Sequence, residues 1–242
     1  MKAFTLPGCC SLILTLTALL ISCSLLPVIK HADPAAAAGA IQRCRRPFLD
    51  IPYRVVHSIE AALPGGKMGT FVGVTVFDPA AGTIHSVIMT IEGFVLFDAR
   101  YEKEEMRVDR AVPPFDGGPF ATHIMEDVRL IFLAPEGRLA DAGLLEDGSA
   151  ICRYYGNQDR TIDVVVHQED TWEIETYHGS HERLRKIRAF SVQDRLPGML
   201  ELTGFESGNY SLRLKLISAE PVTAQGPGVR EQGSGVRSQE SE

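Results

Sequence analysis

The sequence predicts an α+β domain in which a curved antiparallel β-sheet wraps around a central helix. Three observations predict it. Short β-patterned runs joined by tight turns occupy the chain from about Tyr53 to Ile217. One amphipathic stretch, Phe120 to Ala134, interrupts them as a helix. Its apolar stripe of Phe120, Ile124, Val128, Ile131 and Phe132 is bulky enough to need a sheet face over it.

The chain opens on an apolar run, Ser11 to Ile21, behind a short N-terminus carrying Lys2. The run is 11 residues long, whereas a bilayer span needs about 20. That length suits a cleaved signal segment better than an anchor helix. The run closes on Leu20-Ile21-Ser22-Cys23. Residues 24–47 contain Pro34, the run Ala35 to Ala38 and Gly39, with no sustained apolar face, and read as a tether. Folding is expected to begin near Phe48.

Tyr53 to Leu63 reads as a strand because Pro64-Gly65-Gly66-Lys67 follows as a turn before Phe71 to Phe77. Asp78 to Gly82 is the next turn. Ile84 to Phe97 then reads as one long strand, with Gly93 marking a bend. The charged residues 98–105 read as a turn, and Met106 to Ala111 as a short strand. Pro113-Pro114 ends this block, and Pro119 opens the helix, where its missing N–H costs nothing. Thr122, Glu126, Asp127 and Arg129 fall mostly off the apolar stripe. Pro135 and Gly137 stop the helix. Leu139 to Gly148 reads as a loop.

The second β block follows. Ala150 to Tyr155 and Ile162 to Val166 flank the turn Gly156 to Asp159. Trp172 to Tyr177, Arg183 to Phe190, and Met199 to Phe205 come next. Tyr210 to Ile217 alternates Tyr210, Leu212, Leu214 and Leu216 with Ser211, Arg213 and Lys215, as a half-buried strand does. From about Pro221 the chain turns to a low-complexity tail rich in Gly, Ser and Gln. The expected organisation is a signal segment at 1–22, a modified N-terminus and tether at 23–47, a domain at 48–220 and a tail at 221–242. The domain spans roughly 175 residues, an ordinary size for one core.

Net charge is −7 with no basic block, which argues against nucleic acid as a partner. Beyond the signal segment only Cys44 and Cys152 remain besides Cys23, and they are the candidate pair for a disulfide. The alternative is two unpaired thiols, one buried and one on the tether. Of 7 histidines, His178 and His181 sit three apart, with His167 upstream. A solvated hairpin tip accounts for them better than a metal site, because no third ligand has motif spacing. Asp98, Glu102, Glu104 and Glu105 read as a solvated turn, since a catalytic acid pair needs burial to separate its two pKa values. Trp172 reads as core. Neither a Gly-x-Ser-x-Gly elbow nor a phosphate-binding glycine loop occurs. The sequence therefore points to no enzyme, cofactor or metal.

Leu20-Ile21-Ser22-Cys23 resembles the lipobox of bacterial lipoproteins. That resemblance implies removal of residues 1–22, acylation of Cys23 and attachment to a membrane through the acyl chains. Ser24 after the cysteine, where Asp would signal retention at the inner membrane, implies the periplasmic face of the outer membrane. Gly93 to Phe97, Asp127 to Pro135 and Tyr210 to Leu214 resemble, in that order, the superfamily of the outer-membrane lipoprotein receptor and its periplasmic carrier, the LolA/LolB-like proteins. The likeness extends more closely to an uncharacterised lipoprotein group related to them. It implies an incomplete barrel over an apolar cavity that accepts acyl chains or a lipoprotein. Phe120, Ile124, Val128, Ile131 and Phe132 are the candidate cavity residues. Two functions follow as expectations: binding of a hydrophobic ligand in lipoprotein or lipid trafficking, or an assembly role on envelope proteins without a small ligand.

Overall fold

The computed structural model describes residues 26–30, 34–103, 105–117, 119–169, 171–206 and 209–222. Cys23, the segment 1–22 and the tail from 223 lie outside the described residues. Twelve strands form one open sheet. The first block supplies β1 (Tyr53–Leu63), β2 (Lys67–Asp78), β3 (Thr83–Met89), β4 (Val95–Glu102) and β5 (Glu105–Ala111). The second supplies β6 (Arg138–Leu144), β7 (Ala150–Tyr155), β8 (Arg160–Val166), β9 (Trp172–His178), β10 (Glu182–Gln193), β11 (Leu196–Gly204) and β12 (Tyr210–Pro221). Helix α1 (Pro34–Cys44) precedes them, and α2 (Phe120–Phe132) links the two blocks.

The strand order is β5-β4-β3-β2-β1-β12-β11-β10-β9-β8-β7-β6. Two antiparallel meanders are thus joined along β1 and β12, from Tyr53 opposite Pro221 to Ala62 opposite Ser211. Their outer edges, β5 and β6, are consecutive in the chain and are connected through α2. This connection carries the helix across the sheet rather than along one edge. On β1 the alternating Val55, His57, Ile59, Ala61 and Leu63 are buried, as are Phe71, Gly73, Thr75 and Phe77 on β2. A period of two places these on one face, which α2 covers.

Both edges are protected against pairing with other chains. β5 is largely exposed and charged, with Arg107 2.6 Å from Asp109, the usual defence of a free edge. β6 is covered differently. Lys30 exchanges backbone hydrogen bonds with Leu144 at 2.9 and 3.4 Å. Ile29 is buried with Ile151 and Val165, while α1 packs Ala40 and Cys44 into the sheet beside β6, β7 and β8.

Several sequence expectations change here. Residues 34–47 are not a tether: α1 docks, Cys44 is disulfide-bonded to Cys152, and Arg43 donates to the carbonyls of Val166 (2.8 Å) and Gly148 (3.3 Å). Such anchoring orders an alanine-rich segment too short to be helical alone. The long strand 84–97 is a hairpin. Thr90 and Phe94 close its turn, and Gly93 adopts φ +91, open to glycine but strained for other residues. Asp98 to Glu102 belong to β4, so the charged turn shrinks to the residues around Lys103. The loop from Leu139 shortens to 145–149 because Arg138–Leu144 is edge strand β6. Helix α2 ends at Phe132, with Leu133 extended, since Pro135 bars continuation. At the C-terminus β12 runs to Pro221, and Val222 still donates to the Pro52 carbonyl.

Candidate cavity beneath the interior helix

The two ends of α2 are held by aromatic clusters. At its start Phe120 stacks on Phe115 (6.2 Å between ring centres) and meets Tyr210 edge-on (5.6 Å). Phe115 in turn meets Phe71 at 5.3 Å. At its end Phe132 stacks on Phe77 at 4.7 Å and lies 6.1 Å from His57. Such ring pairs add about 0.5–1.5 kcal/mol each beyond the area they bury.

Between the clusters a cavity of about 40 Å³ separates the helix from the sheet. Ile124, Val128, Ile131 and Phe132 line it from α2, facing Ile59, Ile88 and Leu214 among others. Gly73 opposite them admits the close approach of Ile59, whose Cδ1 would stand 2.7 Å from any Cβ built there. Four of the five candidate residues therefore surround one space, and Phe120 sits in the aromatic cluster instead. The polar lining is small. Thr75 and Ser86 satisfy each other at 3.2 Å, burial holds His57 down at about 4, so it is neutral at pH 7, and Asp127 is the one carboxyl in the lining.

The sequence reading missed a charged group on the same covered face. Asp127 is buried, not solvated. Arg185, on β10 and 1 % exposed, donates from Nε to Asp127 Oδ1 at 2.6 Å and from Nη2 to Glu126 at 3.0 Å. Its Nη1 lies 2.6 Å from Glu206. The Tyr210 hydroxyl donates to Asp127 Oδ2 at 2.5 Å. Burial pushes the Asp127 carboxyl up to about 6, against the opposing pull of Arg185 and Tyr210. Burial and the Asp127 charge raise the Tyr210 hydroxyl well above its usual range. The signal was present in the sequence: Asp127 lies three residues from both Ile124 and Leu130, on the covered face.

The remaining candidates are dispersed. His178 and His181 are exposed at the β9–β10 tip, and His167 lies at the opposite end of β9, beside Ser149 (2.9 Å) and Glu173 (3.5 Å). Asp98 pairs with His85 at 2.8 Å, Glu102 and Glu105 flank the β4–β5 turn, and Glu104 lies outside the described residues. Trp172 is 2 % exposed, as a core residue should be, yet it borders two further clefts.

No family model and no curated protein matches the chain. Among solved structures it is similar to a LolA superfamily protein of Nitrosomonas europaea, at 12% identity and a TM-score of 0.52, over 78% of this chain and 95% of that one. A DUF1329 family protein of Desulfovibrio piger aligns at 13% identity and a TM-score of 0.45, over 81% of this chain and 96% of that one. The first likeness is one of fold: a mostly antiparallel open sheet with helices, LolA-like in arrangement. The second is too low to bear on it.

Proposed function

We propose that this chain is a lipoprotein of the outer membrane, anchored on the periplasmic face through acylated Cys23. Its sheet acts as an incomplete barrel around α2 and receives an acyl chain, or another hydrophobic ligand, in lipoprotein or lipid trafficking. The observation that carries this reading is the cavity between Ile124, Val128 and Ile131 and the sheet, apolar almost throughout and spanned by a helix that no covalent bond fixes there. The LolA-like arrangement supports it. The reading is of a binding protein, not an enzyme.

The cavity of about 40 Å³ is far below the roughly 300–1,000 Å³ of ligand pockets. Loading therefore displaces α2 from the sheet. The same small volume favours a second reading, an assembly lipoprotein that docks on envelope proteins and takes no ligand. Native mass spectrometry of the detergent-free chain separates the two. Co-purified lipid is the outcome of the first reading, and a bare chain that also refuses added lipid is the outcome of the second.

The docked N-terminus sharpens the anchoring. Only Ser24 and Leu25 separate Cys23 from Leu26, where the described chain begins. A chain rises by at most about 3.6 Å per residue, so acylated Cys23 holds the domain within about 11 Å of that point. Cys23→Ser should release the protein from the membrane fraction. Full retention, with residues 1–22 still attached, would instead mean an uncleaved anchor helix.

A further inference from the structure

Three spaces follow one another, the first two meeting at Trp172 and the last two at Ile131 and Phe132. A surface cleft of about 430 Å³ lies between Pro47, the end of β8 at Val166, Trp172 and the end of β10 at Val192, with Arg46 and Arg195 on its rim. A constriction of about 20 Å³ shares Pro47, Trp172 and Arg195 with that cleft and extends to Ile131 and Phe132. Ile131 and Phe132 also line the cavity beneath α2. Mouth, throat and chamber thus have a continuous lining. The cleft beside Phe120, about 290 Å³, shares no residue with the chamber. Another, of about 320 Å³, touches Leu202 and Leu212, but Glu60, Glu201, Ser211 and Arg213 among its other lining residues alternate away from the chamber, so the sheet backbone intervenes.

The mouth has its own chemistry. On a chain of net charge −7 it gathers Arg46 and Arg195, and Arg43 binds the Val166 carbonyl at its border. Asp194 is the acid on the rim, and Arg195 is held in place by Asp50 at 2.6 Å and by the carbonyls of Arg46 (3.1 Å) and Phe48. The buried Trp172 indole N–H has no acceptor among the described residues, and a buried donor left unmade is costly. Two arginines at the mouth, an unanswered indole donor and an apolar throat suit a single-tailed amphiphile with an anionic head.

We infer that the Arg46–Trp172–Arg195 cleft is the entry and headgroup site for a fatty-acid-like ligand whose tail threads past Phe132 into the chamber under α2. The inference rests on the reading that the chamber takes a hydrophobic ligand, and adds which end is open and which head is selected. A narrow throat admits one chain, not a diacyl lipid.

Trp172 is the chain's one tryptophan, so its emission reports from the junction of mouth and throat. The full chain carrying Cys23→Ser is titrated with stearate bearing a nitroxide at carbon 5 or carbon 16, and with the matching trimethylammonium amphiphile. A neutral naphthylamine dye follows occupancy of the chamber independently. Saturable quenching stronger from carbon 5 than from carbon 16 is expected, with the cationic analogue binding about ten-fold more weakly. Arg46→Glu should weaken stearate by a similar factor. Val192→Phe, at a half-buried position on the margin of the core, should block it, with the urea stability of the variant measured alongside. Dye binding together with absent quenching, equal binding of both heads, or indifference to Arg46→Glu and Val192→Phe overturns this site and leaves the proposed function standing. Binding of neither dye nor stearate overturns both.

Discussion

The two helices cover the sheet by different means. Helix α1 is fastened to its half covalently through Cys44 and Cys152, and by Arg43 to two backbone carbonyls. Helix α2 is held to β1–β4 and β10–β12 by side chains alone: rings at both ends and, between them, the Arg185–Asp127–Tyr210 cluster beside a cavity that Asp127 also lines. A helix fixed by a disulfide cannot leave without reduction, whereas one held by side chains can exchange those contacts for a ligand. The α1 half is therefore the frame, and the α2 half is where the proposed binding would take place.

Removing the covalent fastening should have the largest effect. The bridge spans 108 residues, and closing a loop of that order constrains the unfolded chain by about 4–5 kcal/mol in the chain-entropy account. Cys44→Ser with Cys152→Ser should lower urea stability by an amount of that order. A loss below about 1 kcal/mol would mean that α1 docks by packing alone and that the contrast is weaker than stated.

Arg185→Met should come next, at about 3–5 kcal/mol, because it leaves buried Asp127 without its cation. If α2 depended on its apolar stripe alone, the same substitution would be nearly neutral in chemical denaturation.

Protonation gives a smaller effect that separates two groups lining the cavity under α2. Asp127 is raised from 3.8 to about 6, so its contribution to stability is complete below about 3.8 and lost as pH rises through 6. His57 is lowered from 6.5 to about 4, so its contribution is complete above 6.5 and lost as pH falls through 4. Each amounts to about 3 kcal/mol, and between pH 4 and 6.5 they oppose each other. His57→Gln should become more stable, relative to the parent, as pH falls through this window. Asp127→Asn should become less stable. Parallel profiles for the two variants would mean that neither group titrates in its buried place.

Regular alternation was legible in the sequence and irregular fastening was not. Tyr210 to Leu216 showed its period directly because one face meets the core and the other solvent. The break at Thr90 to Phe94 was hidden because Ile91 and Phe94 are apolar yet 70% and 71% exposed at a hairpin tip. Arg138–Leu144 hid as a strand because an edge buries little, here only Gly143. The burial of Ile124 and Ile131 was legible in the stripe of α2, since it follows from helical spacing. Arg185 looked like any strand arginine. Its partners Glu126 and Asp127 lie 59 and 58 residues away, and only the crossing of α2 brings them together.

The central claim is that the space under α2 exists to be filled, and Ile124→Trp tests it most directly. The larger ring projects into the cavity from the middle of the helix. The account predicts a stability within about 1 kcal/mol of the parent, together with loss of binding of a hydrophobic dye that the parent takes up. A fully packed core would be overpacked by the same ring, at a cost of about 1–3 kcal/mol or more. A strongly destabilised variant, made from a parent that binds no dye, would contradict the account and leave the ligand-free assembly lipoprotein in its place.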